Sequence, residues 1–161
     1  MGGEAQRRAR DSLLALSVGD GLGERFFGPS DVVLDRIERR ELPPPVWRWT
    51  DDTQMAAGLL DSLERHRGRV VPDDLMRTFA DRFEMQRGYG ATMRDVLWAV
   101  QRGARWQPLV AGAFGGTGSW GNGAAMRVAP LGAWYAGDPV GAAAAARAQA
   151  VVTHTHPEAA E

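Results

Sequence analysis

Thr50-Asp51-Asp52-Thr53 places two adjacent carboxylates between two hydroxyl side chains. It stands where the proline-rich approach Pro43-Pro44-Pro45 gives way to the alanine-containing apolar run that begins Gln54-Met55-Ala56-Ala57. Adjacent aspartates repel, and both stay ionised at low cost only beside positive charge. A helix N-terminus supplies part of that charge, and a divalent cation supplies more. Carboxylate and hydroxyl oxygens are hard ligands, so the ion they suit is magnesium, manganese or calcium rather than zinc. The alternative is a plain helix cap, with Thr50 or Asp51 as N-cap and Gln54 closing a capping box.

A second stretch is Gly115-Gly116-Thr117-Gly118-Ser119-Trp120-Gly121-Asn122-Gly123, which runs into Ala124-Ala125-Met126-Arg127. A glycine-rich loop entering a helix exposes backbone N–H groups to an anion or phosphate, and Ser119 and Asn122 add side-chain groups. A flexible linker with a tight turn at Asn122-Gly123 is the competing account. His154 and His156 lack the further soft ligands of a zinc site. His154 fits a hydrogen bond to a bound sugar or a structural role equally well. His66, between Arg65 and Arg67, reads as a solvated helix-end residue.

The elements that must position these residues follow from apolar spacing. A chain of 161 residues is one domain by size. Helices are expected over 5–18, about 51–65, from Pro72 through Phe83, over 93–103, and from Asp138-Pro139 to about Val152. A short segment over 124–135 is expected to break near Pro130. Met55, Leu59, Leu60 and Leu63 form one inward stripe, and Leu75, Met76, Phe79 and Phe83 another; Ala9, Leu13, Leu14 and Leu16 do the same for the first helix. Gly19-Asp20-Gly21-Leu22-Gly23 should end that first helix, its glycines allowing a close backbone approach. Asp20 reads as a turn residue or a buried polar group. Residues 28–48 read as a loop with at most one helical turn, and 103–123 as glycine-rich loop. No period-two alternation of β-branched residues occurs, so the fold class is all-α.

Composition narrows the chemistry. Net charge is −1, which argues against electrostatic capture of nucleic acid or an anionic membrane. No cysteine is present, so disulfides, thiolate metal sites and a Cys nucleophile are excluded, in keeping with a cytoplasmic setting. All 19 basic residues are Arg, which excludes a Schiff-base or P-loop lysine. The apolar run near the N-terminus is too short for a signal segment, and no run approaches membrane-spanning length.

Taken together, five stretches resemble the ADP-ribosylglycohydrolases, the group that includes the enzyme releasing ADP-ribose from dinitrogenase reductase and the animal ADP-ribosyl-acceptor hydrolases. They are Gly19–Gly23, Thr50–Thr53, Tyr89–Thr92, Gly118–Arg127 and Thr153-His154, in family order and spacing. The resemblance spans the chain but only about the first half of the family's domain, so residues 1–161 are expected to be the N-terminal part of that domain, a fragment. It implies an all-α fold with a two-magnesium centre, manganese being an alternative. Thr50, Asp51 and Asp52 would be metal ligands, with Asp51 and Asp52 catalytic. Tyr89, Gly90, Gly118, Ser119, Gly121, Asn122 and His154 would bind ADP-ribose or an ADP-ribosylated substrate. The reaction implied is hydrolysis of an N- or O-glycosidic bond of ADP-ribose. The alternative is a non-catalytic ADP-ribose-binding or crystallin-like structural protein on the same scaffold.

Three departures from the family pattern stand out. No Asp-x-Asp-Ser/Thr motif follows Asp138. Phe27 stands where relatives place a gating Glu, with Glu24 three residues earlier. No acidic residue accompanies Gly88, as it does in arginine-specific relatives. The isolated chain is therefore expected to bind metal weakly, to turn over little, and to expose apolar surface.

Overall fold

A computed structural model describes residues 2–159, and among them the fold is helical, with no strand. Eight α-helices follow one another: α1 (Gly2–Gly23), α2 (Ser30–Glu38), α3 (Asp51–Arg65), α4 (Pro72–Arg82), α5 (Ala91–Gln101), α6 (Trp106–Ala111), α7 (Ala129–Trp134) and α8 (Pro139–Ala150). Short 3₁₀ turns lie between them, including Asn122–Ala124.

Helix α3 is the axis. Its stripe Met55, Leu59, Leu60 and Leu63 is buried as the spacing requires. It packs against α4 on one side and against α1 and α7 on another, while α4 carries α5. Leu75, Met76, Phe79, Leu97, Val110, Leu131 and Val152 complete the core, with Phe83 partly buried at its edge. Helix α8 opens as expected: the Asp138 carboxylate accepts from the Gly141 N–H, and Pro139 occupies the first turn.

Five expectations need correction. Helix α1 does not end at Val18 but continues to Gly23. Gly21 is buried there, where an added Cβ would come within 3.2 Å of the Trp47 carbonyl oxygen. The close approach expected of the glycines is real, but it is made by a continuing helix. In the same helix Ala9 is buried while Leu14 is 66% exposed, so the inward stripe is narrower than its leucines suggest. The segment 28–48 contains the nine-residue helix α2, whose Val32, Leu34 and Ile37 stay exposed. The stretch 103–123 contains α6, and Pro130 opens α7 in its first turn instead of interrupting it.

His66 is not simply solvated: its Nε2 lies 3.2 Å from Asp74 Oδ2, beside Arg65. Along α8 an open groove is lined by Ala143, Ala144, Ala146, Ala150, Ala124 and Val128, so apolar surface is exposed there. No helix among the described residues is long and apolar enough to cross a membrane.

Candidate active site

The site forms where α1, α3 and the loop after α6 converge. Thr50 is the N-cap of α3, its Oγ1 accepting from the Asp52 N–H at 3.3 Å. No capping box forms. Gln54 points inward, and its Oε1 accepts from the Tyr89 hydroxyl at 2.8 Å and from the Glu84 N–H at 3.2 Å.

Asp20, thirty residues earlier, holds the cap from the other side. Its Oδ1 accepts from the Thr50 hydroxyl at 2.7 Å. Its Oδ2 accepts from the Thr50 N–H at 2.7 Å, the Thr53 N–H at 3.2 Å and the Thr53 hydroxyl at 2.6 Å. Three donors crowd Oδ2 and one meets Oδ1. Asp20 is therefore an anchor that orients the α3 N-terminus, its carboxylate largely taken up by the cap. The flanking glycines let its helix come close enough, which fits the reading of Asp20 as a buried polar group.

Asp51 and Asp52 sit in the first turn with side chains partly buried, and neither makes an ion pair among the described residues. Burial, then the neighbouring Asp52, pushes the Asp51 carboxyl from 3.8 up to about 6. Burial, then Asp20, raises Asp52 as well, and the Glu24 carboxylate adds to both. Arg87, next to Gly88 in the chain, is engaged elsewhere. It stacks 3.4 Å over the Trp49 ring and donates to Glu84 and to the Trp49 carbonyl. The cluster thus lacks positive charge, the electrostatic setting a divalent cation would relieve.

Two cavities meet at this point. One, of about 680 Å³, is lined by Asp20, Glu24, Phe27, Thr50, Asp51, Asp52 and Gly88. Both Glu24 and Phe27 therefore face the acidic cavity. Gly88 has φ +90°, a conformation that favours glycine, and a Cβ there would approach Asp51 Oδ1 to 3.6 Å. The other cavity, of about 220 Å³, is lined by Gly90, Ser119, Gly121, Gly123 and His154, with Met55, Val96, Val110 and Phe114 as its apolar wall. Asp51 and Asn122 line both.

The structure thus brings together Thr50, Asp51, Asp52, Gly90, Ser119, Gly121, Asn122 and His154. Tyr89 lines neither cavity. It is 6% exposed, edge-on to Phe83 and hydrogen-bonded to Gln54. Gly118 is buried behind the loop, against Thr155 and His156, and the His156 N–H donates to the Ser119 carbonyl at 3.4 Å. The glycine loop is thereby pinned by segment 153–156.

Hard oxygens in a crowded, negative, half-buried pocket fit a magnesium-type ion chemically. Thr50 Oγ1 gives its proton to Asp20 and one lone pair to the Asp52 N–H, which leaves one lone pair free. The set is partial: among the described residues no three of His, Cys, Asp and Glu form a group able to hold an ion alone.

His154 is 6% exposed. Burial, then the charge of Arg127, pushes its pKa down to about 4, so it is neutral at pH 7. Arg127 is fully buried, without a carboxylate partner among the described residues, and is held by Gln149, Thr153 and the Phe79 ring. Burial lowers its pKa to about 9, which still leaves it charged at neutral pH. Arg127 and Thr153 fall within the stretches that carry the resemblance, but the sequence alone gives neither a role of its own.

The model of one family, ADP-ribosylglycohydrolase, matches residues 1–161. The chain is similar to ADP-ribosylhydrolase ARH3 of Danio rerio, 34% identical over 138 residues, covering 77% of this chain and 36% of that protein. It is similar to ADP-ribosylhydrolase ARH3 of Xenopus tropicalis, 32% identical over 141 residues, covering 80% of this chain and 39% of that protein. The match to ADP-ribosylhydrolase ARH3 of Gallus gallus is 34% over 144 residues, covering 77% of this chain and 39% of that protein. The matched segment thus spans well under half the length of these relatives.

Proposed function

Because the chain belongs to the ADP-ribosylglycohydrolase family, we propose that it supplies the diphosphate cradle and one side of the metal centre of a hydrolase that cleaves an N- or O-glycosidic bond of ADP-ribose. The observation that carries this is the shared wall: Asp51 and Asn122 face both the acidic cavity and the glycine-loop cavity. An anionic diphosphate lies over Ser119, Gly121 and Asn122, where the leading N–H groups of a one-turn helix and two polar side chains can receive it. Its ribose then reaches Asp51.

Thr50, Asp51 and Asp52 would hold magnesium, with manganese as a substitute. When bound, the ion supplies positive charge that offsets the paired carboxylates and a template for substrate oxygens. The protein's own share is electrostatic and positional. Asp51 and Asp52 place negative charge beside the anomeric carbon, where an oxocarbenium-like transition state develops positive charge. Asp20 keeps Thr50 and the α3 N-terminus in register. Glu24, at the rim of the acidic cavity, is the residue of this chain that can take the gating place.

Calorimetric titration of ADP-ribose, with and without magnesium, tests this directly, together with release of ADP-ribose from an ADP-ribosylated peptide. Magnesium-dependent binding that is lost in Asp51→Ala supports it. Absence of ADP-ribose binding under both conditions refutes it. The partial ligand set favours a second reading, binding without cleavage. Magnesium-independent binding with no release of product supports that second reading.

A further inference from the structure

The buried Arg127 has no acidic partner among the described residues, and its hydrogen bonds lead to the site. Its Nη2 donates to Thr153 Oγ1 at 2.8 Å and to the Gln149 carbonyl at 2.9 Å, and its Nε donates to Gln149 Oε1 at 2.6 Å. Thr153 Oγ1 lies 2.7 Å from His154 Nδ1. Thr153 is 1% exposed, so its hydroxyl proton calls for a protein acceptor. A guanidinium can only donate. Thr153 Oγ1 therefore accepts from Arg127 and has one proton left to give. Giving it to His154 Nδ1 satisfies every group in the chain. The opposite arrangement, Nδ1–H donating to Thr153, leaves a buried hydroxyl proton with no acceptor, which folded proteins avoid.

With Nδ1 accepting, the ring proton of neutral His154 sits on Nε2. That atom has no hydrogen-bond partner among the described residues and lies over the glycine loop. A Cβ on Gly123 would come within 2.9 Å of it, and one on Gly121 within 3.6 Å. His154 lines the cavity at this point.

We propose that Arg127 and Thr153 form a positioning relay that holds His154 as a fixed hydrogen-bond donor, its Nε2–H aimed across Gly121 and Gly123 into the glycine-loop cavity. The site then selects a ligand that presents an acceptor oxygen at that spot and rejects one that presents a donor. Arg127 acts from behind Thr153 and does not line the cavity, whereas Thr153 stands in its wall beside His154. The use of ADP-ribose as ligand rests on the proposed function, whereas the tautomer of His154 does not.

The experiment is nitrogen-detected NMR of the histidine rings in the 161-residue chain at pH 7. Signals are assigned with His66→Gln and His156→Gln, and ADP-ribose affinity is measured alongside. The expected result is an Nε2–H tautomer for His154 in the wild type and in Thr153→Ser, which keeps the hydroxyl. Thr153→Val should lose the single tautomer and bind ADP-ribose about 10-fold more weakly, the scale of one directed hydrogen bond. An Nδ1–H tautomer in the wild type overturns the proposal, as does an unchanged Nε2–H tautomer in Thr153→Val. If Thr153→Val fails to fold, the wild-type and Thr153→Ser spectra still decide. An Nε2–H tautomer in a chain that binds no ADP-ribose supports the relay and removes the assigned ligand.

Discussion

Replacing Asp20 tests how far the α3 N-cap and the acidic cavity depend on the residue that anchors them from α1. The carboxylate takes two N–H groups and two hydroxyls at 2.6 to 3.2 Å. Hydrogen bonds to a charged group contribute about 1.5–3 kcal/mol each in isolation. Within one network, and at a partly exposed position, they do not add. Asp20→Ala should therefore cost roughly 3–5 kcal/mol, or on the order of 10 °C in Tm for a chain of this length. Asp20→Asn is the sharper variant. Its oxygen can replace Oδ2 and keep three of the four bonds, so the loss should be only about 1–2 kcal/mol. Its amide must then stand where Oδ1 stood and donate to Thr50 Oγ1. That oxygen would accept from both the new amide and the Asp52 N–H, fill both lone pairs, and turn its proton toward the acidic cavity. Magnesium or manganese affinity, read by calorimetry or by the concentration dependence of Tm, should fall at least about 10-fold, a change near 1.4 kcal/mol. Wild-type cation affinity in Asp20→Asn would refute the role given to the Thr50 lone pair. Stability within about 1 kcal/mol of wild type in Asp20→Ala would refute the anchor.

Other expectations follow from the same geometry. His154, at about 4, stays neutral in the native state while the unfolded chain binds its proton near 6.5, so it makes stability fall as pH drops from 6.5 toward 4. Asp51, at about 6, works the opposite way, lowering stability as pH rises from 3.8 to 6. Urea midpoints at pH 4.5 and 7 should show a steeper acid loss in Asp51→Asn and a shallower one in His154→Gln; the reverse order would contradict both assignments. At pH 7, Asp51→Asn should also raise the stability of the metal-free chain. A rise of about two pKa units at about 1.36 kcal/mol each sets a ceiling near 3 kcal/mol, which partial exposure reduces to roughly 1–2. The same variant should abolish stabilisation by magnesium, and retained magnesium stabilisation would remove Asp51 from the ligand set. Gly123→Ala puts a methyl within 2.5 Å of His154 Cε1. It should cost about 1–3 kcal/mol in thermal or urea unfolding and weaken ADP-ribose binding, and wild-type behaviour in both assays would show that the ring is free to move.

Where the sequence was legible, one local signal and one tertiary need agreed. In α3 the period of Met55, Leu59 and Leu63 coincides with an N-cap at Thr50 and a stop near Gly68, and the helix lies where that pattern puts it. Helices α4 and α8 announce themselves through a proline in the first turn. Where the two signals separated, the sequence misled. The glycines at 19, 21 and 23 look like a terminator, yet Gly21 is needed for the backbone of Trp47 and packing outweighs propensity. Helix α2 has apolar residues at helical spacing, Val33, Leu34 and Ile37, but the structure leaves Leu34 and Ile37 exposed, so the pattern does not coincide with a buried face. The Thr-Asp-Asp-Thr and glycine-loop motifs were visible because they are contiguous. Asp20 and Arg127 lie in recognisable stretches, and Asp20 reads as a possible buried polar group, but their roles were not legible because the partners that define them lie 30–33 and 22–26 residues away.

The two cavities differ in what they lack. The acidic one has Asp51, Asp52 and Glu24 with no basic group among its lining residues, so it is short of a cation. The glycine-loop cavity has no charged side chain beyond Asp51, and its one titratable base is held neutral. The charge of Arg127 stands one layer behind it, through Thr153. A buried positive charge that an anion feels without touching adds long-range attraction in a low-dielectric setting, while the contacts themselves are made by neutral donors. A neutral donor set binds a diphosphate less tightly than a direct Arg fork would. Introducing a direct charge should show the trade. Asn122→Arg ought to tighten ADP-ribose binding at low salt and lose that gain steeply between about 50 and 200 mM salt. It should do so while drawing Asp51 into an ion pair and weakening magnesium. Tighter ADP-ribose binding with undiminished magnesium affinity would show that the shared wall is not the junction it is taken to be.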